Sequence, residues 1–147
     1  MNYQQMINEN DMDIPYLASV FKLPEISRYI SIGERNYWKY VTTSEDVYFF
    51  KVYKDESLVA TTHLEVVERI LYLDIMVVPG QQRKGTATVV LGDILAGKLV
   101  CGFDRIEVSI DESNSASICL FEKLGFVCVS KEEELLNYVY EINQKAQ

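Results

Sequence analysis

Cysteine, histidine, tryptophan and proline are all scarce in this chain of 147 residues. The cysteines, Cys101, Cys119 and Cys128, are odd in number and include no C-x-x-C pair. That argues against a disulfide scaffold or zinc ribbon and for a reducing compartment. A single histidine, His63, leaves a zinc site short of ligands, so no metal is expected. Basic residues are outnumbered, 14 against 22 acidic, for a net charge of −8. A chain of that sign lacks the cations that displace counterions from phosphate, so no nucleic-acid partner is expected. A cationic substrate is compatible with it. No apolar run approaches the ~18 residues that span a membrane. The opening MNYQQMINENDMD has neither a basic n-region nor an apolar h-region. The expectation is no signal peptide, no membrane partner and a cytoplasmic location.

What is present suits a globular protein. Hydrophobic residues make up 48% and charged residues 24%, enough apolar surface for one core and one domain over residues 1–147. Asp13 and Pro15 open a helix carrying Ile14, Leu17, Ala18 and Phe21 at helical spacing. Pro24 stops it. A second helical piece follows until Gly33, and a third carries Tyr37, Trp38 and Val41. A short strand, Tyr3 to Ile7, precedes them. The period then becomes two, and Val47 to Val78 reads as three strands turning at Lys54-Asp55-Glu56 and Glu68-Arg69. Such short connections make the strands antiparallel neighbours. From Thr86 the spacing is helical again, with Gly92 and Gly97 counting against the helix by roughly 1 kcal/mol each. A strand with Ile106, Val108 and Ile110 on one face follows. Then come a helix capped by Ser113 or Asn114 and stopped by Gly125, and two last strands. This order is α+β with a mixed sheet.

The stretch VVPGQQRKGTATVV, Val77 to Val90, nearly spells two phosphate motifs. As a P-loop it has Thr86 where the lysine belongs, and as a dinucleotide fingerprint it lacks the middle glycine. The H-x-E of His63 and Glu65 has no P-C-x-x-C after it, which removes the zinc-deaminase reading. What remains is a strand, a short glycine loop and a helix start whose first N–H groups have no intrahelical partners. With Arg83 and Lys84 beside them, those groups make an anion site. The same pattern also serves as an ordinary strand–turn–helix junction.

Two blocks decide between these. Gln82-Arg83-Lys84-Gly85-Thr86-Ala87 fits [QR]-x-x-G-x-[GA], following Val77-Val78-Pro79. NSASICLFEKLGFV, Asn114 to Val127, is similar to N-x-x-A-x-x-L-Y-E-K-L-G-F. Together, in this order, they resemble the GNAT superfamily of acyl-CoA-dependent N-acyltransferases. The resemblance runs closely from Val47 to Ile142. It implies one GNAT-like domain with a mostly antiparallel six- to seven-stranded sheet flanked by helices. It also implies that the fourth and fifth strands splay. Met76, Val77 and Val78 would then offer backbone groups to the pantetheine arm of acetyl-CoA, with the amides of Gln82, Arg83, Lys84, Gly85, Thr86 and Ala87 on its pyrophosphate. Asn114 would lie near the pantetheine.

The implied reaction is N-acetyl transfer to the amine of a small molecule by direct attack on the thioester, in a monomer or homodimer. The alternatives are an acyl-CoA-binding module with little catalysis and a protein or peptide N-acetyltransferase. The tyrosine that often serves the family as acid is Phe121 here. Either another group donates, or the thiolate leaves unaided, or catalysis is slow.

The amine needs a base. Asp74, an acid in the apolar run LYLDIMVV, shares a strand face with Tyr72 and Met76; Glu65 shares one with His63. Asp74, Glu65 and Tyr72 are the catalytic candidates. Each also has a structural reading: a hydrogen-bonded aspartate, a solvated glutamate, a packed tyrosine. The aromatics Tyr29, Tyr37, Trp38 and Tyr40 read as core or as walls of an acceptor pocket, and Cys119 as a buried helix residue.

Overall fold

The computed structural model describes residues 1–32 and 36–142. The break expected at Gly33 lies outside them. In chain order the elements are β1 (Asn2–Gln5), α1 (Ile14–Phe21), α2 (Pro24–Ser27), α3 (Tyr37–Thr43), β2 (Val47–Lys54), β3 (Ser57–Val67) and β4 (Ile70–Val77). Then follow α4 (Thr86–Leu95), β5 (Arg105–Asp111), α5 (Ser115–Lys123), β6 (Val127–Glu132) and β7 (Leu135–Glu141). The strands form one sheet in the order β1-β2-β3-β4-β5-β7-β6. The expected α+β architecture with a mixed, mostly antiparallel sheet is present, with seven strands.

The turns of the β2–β3 and β3–β4 hairpins use polar residues at positive φ: Asp55 and Glu56 at 50° and 71°, Glu68 and Arg69 at 49° and 68°. Two consecutive left-handed residues match the twist of the flanking strands, which fixes register with no glycine present. That register puts alternate residues on opposite faces. Phe50, Val52, Leu64, Leu71 and Ile106 pack with Val90, Leu91 and Ile94 of α4 and with Phe121 and Phe126. Phe49, Val47 and Met76 pack on the other face with Leu17, Val20, Phe21, Ile26 and Val41 from α1 to α3. Full burial of each such side chain contributes roughly 1.5–3 kcal/mol.

Both long-range helices end in the same way. Gly97 (φ 74°) and Gly125 (φ 101°) are left-handed stops. Lys98 N–H bonds Asp93 and Gly97 N–H bonds Ile94, while Phe126 N–H bonds Phe121 and Gly125 N–H bonds Glu122. This double bond closes the last carbonyls of each helix. Gly97 therefore terminates α4 rather than weakening its interior. Cys119 is exposed, not buried, because α5 turns Phe121 inward and leaves Cys119 on the outer side.

Asp13 precedes α1, yet its side chain makes no cap bond. It binds buried Lys51 at 2.8 Å instead, and Asp11 binds the same ammonium at 2.9 Å. Tyr53 also donates to Asp13. These bonds tie the segment before α1 to the middle of β2.

Candidate active site

The site begins where two strands part. β4 and β5 run parallel but pair only at Ile70–Arg105, Leu71–Ile106 and Tyr72–Glu107. Beyond Tyr72 they separate and enclose a cleft of about 550 Å³. Leu73 to Val77 form one wall, and Val108 to Asp111 with Asn114 the other.

Register decides which backbone groups face it. Val78 N–H bonds Val59 C=O at 2.9 Å, so 59/78 is a hydrogen-bonded pair, and so, two residues on, is Thr61–Met76. The groups turned away from β3 belong to Leu73, Ile75 and Val77. This corrects the expectation for Met76 and Val78. The Met76 side chain is buried against the N-terminal helices, and Val78 does not line the cleft. Val77 lines the cleft, and its carbonyl accepts from Gln82 Nε2 at 3.3 Å.

The loop after β4 bends at Gly80 (φ 93°), Arg83 (φ 64°) and Gly85 (φ 80°). Gly85 is the N-cap of α4 and supplies no side-chain cap. The first intrahelical bond is Val89 N–H to Gly85 C=O. The amides of Thr86, Ala87 and Thr88 therefore point out of the helix end, and all three residues line the cleft with Gln82, Arg83 and Gly85. A group of uncapped donors at a positive helix end fits a diphosphate. Lys84 is exposed and does not line the cleft.

Asn114 caps α5, accepting from Ser117 N–H at 3.3 Å, and also lines the cleft. Phe121 lines it too, its ring edge-on to Phe126 at 4.9 Å. From the helical side Tyr29 reaches over the cleft to Ser113, with the two hydroxyls 2.9 Å apart.

On the face of the N-terminal helices lies a second cavity, about 270 Å³, lined by His63, Glu65, Tyr72, Leu73 and Asp74. The ladder pairs His63 with Asp74 and Glu65 with Tyr72. Leu73 and Asp74 line both cavities, so the two candidate carboxylates come together on one face, and Asp74 alone of the pair borders the cleft.

The polar side chains here form a connected array. His63 Nε2 is 2.8 Å from Glu65 Oε1, and Tyr40 OH donates to the same oxygen at 2.8 Å. His63 Nδ1 is 2.8 Å from Tyr37 OH. Burial, with the charges of Asp74 and Glu65, pushes the Tyr37 phenol far up, so it keeps its proton. Nε2–H donates to the Glu65 carboxylate, and both ring nitrogens of His63 are engaged. The bond to Glu65 pushes Tyr40 up as well. Burial raises the pKa of Asp74; nearby His63 opposes this and Glu65 reinforces it.

Of the four aromatics, Trp38 is core, packing on Phe21 and Phe49 at 6.3 and 5.3 Å. Tyr29 is a cleft residue, and Tyr37 and Tyr40 join the array. Their phenol partnerships had no signal in the sequence beyond the helical spacing of the rings. The Lys51 cluster had none at all.

Comparison with known proteins agrees with this geometry. The profile of the Acetyltransferase (GNAT) family matches residues 14–126, and the chain belongs to that family. It is an enzyme of the acetyltransferase type. No curated protein matches the chain by sequence. A chimera of the spermidine N-acetyltransferase SpeG from Vibrio cholerae and hSSAT is similar in fold, with TM-score 0.79, 15% identity and 100% of each chain covered. A domain from Methanocaldococcus jannaschii has TM-score 0.78 at 18% identity, covering 95% of this chain and 97% of its own. The Campylobacter jejuni N-acetyltransferase PseH in complex with acetyl coenzyme A has TM-score 0.72 at 12% identity, covering 97% and 100%. Among the described residues no helix is long and apolar enough to cross a membrane.

Proposed function

We propose that this protein transfers the acetyl group of acetyl-CoA to the amine of a small molecule by direct attack on the thioester. The observation that carries the reading is the position of Asp74. It borders the donor cleft and the second cavity at the point where β4 and β5 part. A half-buried carboxyl whose pKa is raised by its partly desolvated setting is suited to take the amine's proton. The Val77 N–H, turned toward the cleft, stabilises the oxyanion. The amides from Gln82 to Ala87 hold the diphosphate, and Asn114 stands beside the pantetheine. Tyr72 relays a proton or packs on the acceptor. The likeness to a spermidine N-acetyltransferase and to an acetyl-CoA complex supports this reading. A cytoplasmic location and a monomeric or homodimeric state go with it.

One observation favours a second reading, a CoA-binding module with little catalysis: the phenyl ring of Phe121 has no proton to give. A thiol-release assay with acetyl-CoA over polyamines, amino acids, aminoglycosides and peptides separates the two. Turnover of a small amine is expected. Acetyl-CoA binding with no turnover on any acceptor selects the module. Labelled acetyl-CoA that marks protein bands in lysate, and no small molecule, selects a protein acetyltransferase.

A further inference from the structure

The two carboxylates of the acceptor cavity stand in different places. Tyr72, the partner of Glu65, still pairs with β5, whereas Asp74 lies just beyond the last pair. Glu65 therefore sits over the closed part of the sheet and does not line the cleft; Asp74 sits at the fork and does. Glu65 is also held in place. His63 and Tyr40 both donate to its Oε1, leaving Oε2 outside these bonds. Asp74 receives no bond from another side chain among the described residues, yet it is packed where burial raises its pKa. Among the described residues no lysine or arginine lines this cavity, and His63 has both nitrogens engaged.

We infer that the acceptor is a short aliphatic diamine. Its reacting nitrogen is placed at Asp74 and its second, cationic nitrogen at Glu65. The inference rests on the acetyltransferase reading above. Diagonal neighbours across an antiparallel ladder are roughly 7–8 Å apart, and Glu65 and Asp74 are such neighbours. A chain of about four carbons, at ~1.5 Å per bond, bridges that gap. Tyr72, 41% exposed at the cavity wall, offers a ring face to the distal ammonium.

The step balances within the named reactants. The lone pair of the neutral proximal amine forms the new C–N bond at the thioester carbon, and the C–S bond breaks. The amine proton passes to the Asp74 carboxylate, and the CoA thiolate takes up a proton to leave as the free thiol. The distal ammonium keeps its charge throughout, so Glu65 acts by positioning substrate.

The test compares 1,4-diaminobutane with butylamine, which differ by the distal nitrogen alone. A partly buried charged hydrogen bond makes kcat/KM at least ~10-fold higher for the diamine, chiefly through KM. Glu65→Gln shrinks that ratio toward one, and unchanged acetyl-CoA affinity shows that the variant is folded. Equal kcat/KM for the two amines overturns the diamine assignment and leaves the acetyltransferase reading standing. So does turnover of another amine class with both of these inert. Absence of turnover on every amine overturns the reading beneath it.

Discussion

Asp74 and His63 lie directly opposite each other across the β3–β4 ladder, and only Asp74 reaches the donor cleft. His63 is locked between Tyr37 and Glu65. On the reading proposed above, the proton of the incoming amine goes to Asp74. Asp74→Asn should lower kcat/KM by about 10²–10⁴-fold with acetyl-CoA affinity retained. The wild-type rate should rise with pH through a midpoint above the ordinary aspartate range, because the base works deprotonated. Glu65, Tyr37 and His63 are the titratable groups facing it. That acidic limb should vanish in the variant; a limb that persists assigns it to another group.

The same burial has a cost for folding. A carboxyl whose folded pKa is raised contributes stability fully present below its unfolded pKa, near ~3.9, and lost as pH rises through the folded value. Asp74→Asn should therefore be more stable than wild type at pH 8 and lose that advantage at pH 4. Thermal melts at the two pH values measure it, and equal melting differences at both would place the carboxyl in a solvated setting.

Gly85 works through its backbone. At φ 80° an added Cβ meets nothing within 4 Å in the protein, but a left-handed residue with a branched side chain costs about 1–2 kcal/mol. Asparagine tolerates that conformation and is close to valine in size. Acetyl-CoA affinity by calorimetry should fall in the order Gly85, Gly85→Asn, Gly85→Val, with valine down about tenfold. Equal losses for the two variants would mean that bulk near the diphosphate governs instead. Wild-type affinity in both would remove this loop from the donor site.

The parts of the fold legible in the sequence are those whose local backbone demands a residue type. Gly85 and Gly125 stand at left-handed positions, Asn114 at a cap and polar pairs at the β2–β3 and β3–β4 turns, so the loop, the helix ends and those two hairpins were readable. The alternation that sets Asp74 beside Tyr72 is local too. What was not legible depends on register or on distant partners. Whether Val77 or Val78 faces the cleft turns on Val78 pairing with Val59. Placement of β7 between β5 and the edge strand β6 turns on contacts far apart in sequence. Lys51 looks like a solvent-facing strand lysine until Asp11 and Asp13, some 40 positions earlier, close on it.

Phe121 lines the cleft with its ring braced on Phe126. Phe121→Tyr should fold normally if the added hydroxyl enters the cavity that the ring lines, and an unchanged melting temperature checks this. If the departing thiolate lacks an acid, kcat should rise about tenfold, a modest share of what general acids contribute. An unchanged or lower kcat would mean that the thiolate leaves without help from this position.

Lys51 bears on stability alone, because it lines neither cavity. Its side chain is 6% exposed, against 16% for Asp11 and 30% for Asp13. Burial works against its charge, yet hydrogen bonds with Asp13 and Asp11 prevail and keep its pKa raised. Lys51→Met removes the cation and leaves two carboxylates facing each other. Breaking a fully buried pair this way costs 3–5 kcal/mol. Here the carboxylates regain water, so the expected loss is about 2 kcal/mol by urea denaturation at pH 7. Hydrogen bonds with Lys51 and then Tyr53 hold the Asp13 carboxyl below its ordinary value. A depressed pKa contributes stability present above ~3.9 and lost as pH falls through the folded value. The wild type should thus lose this advantage over Lys51→Met as pH drops below about 4. A gap that stays constant to pH 2 would show that the methionine acts through packing rather than charge.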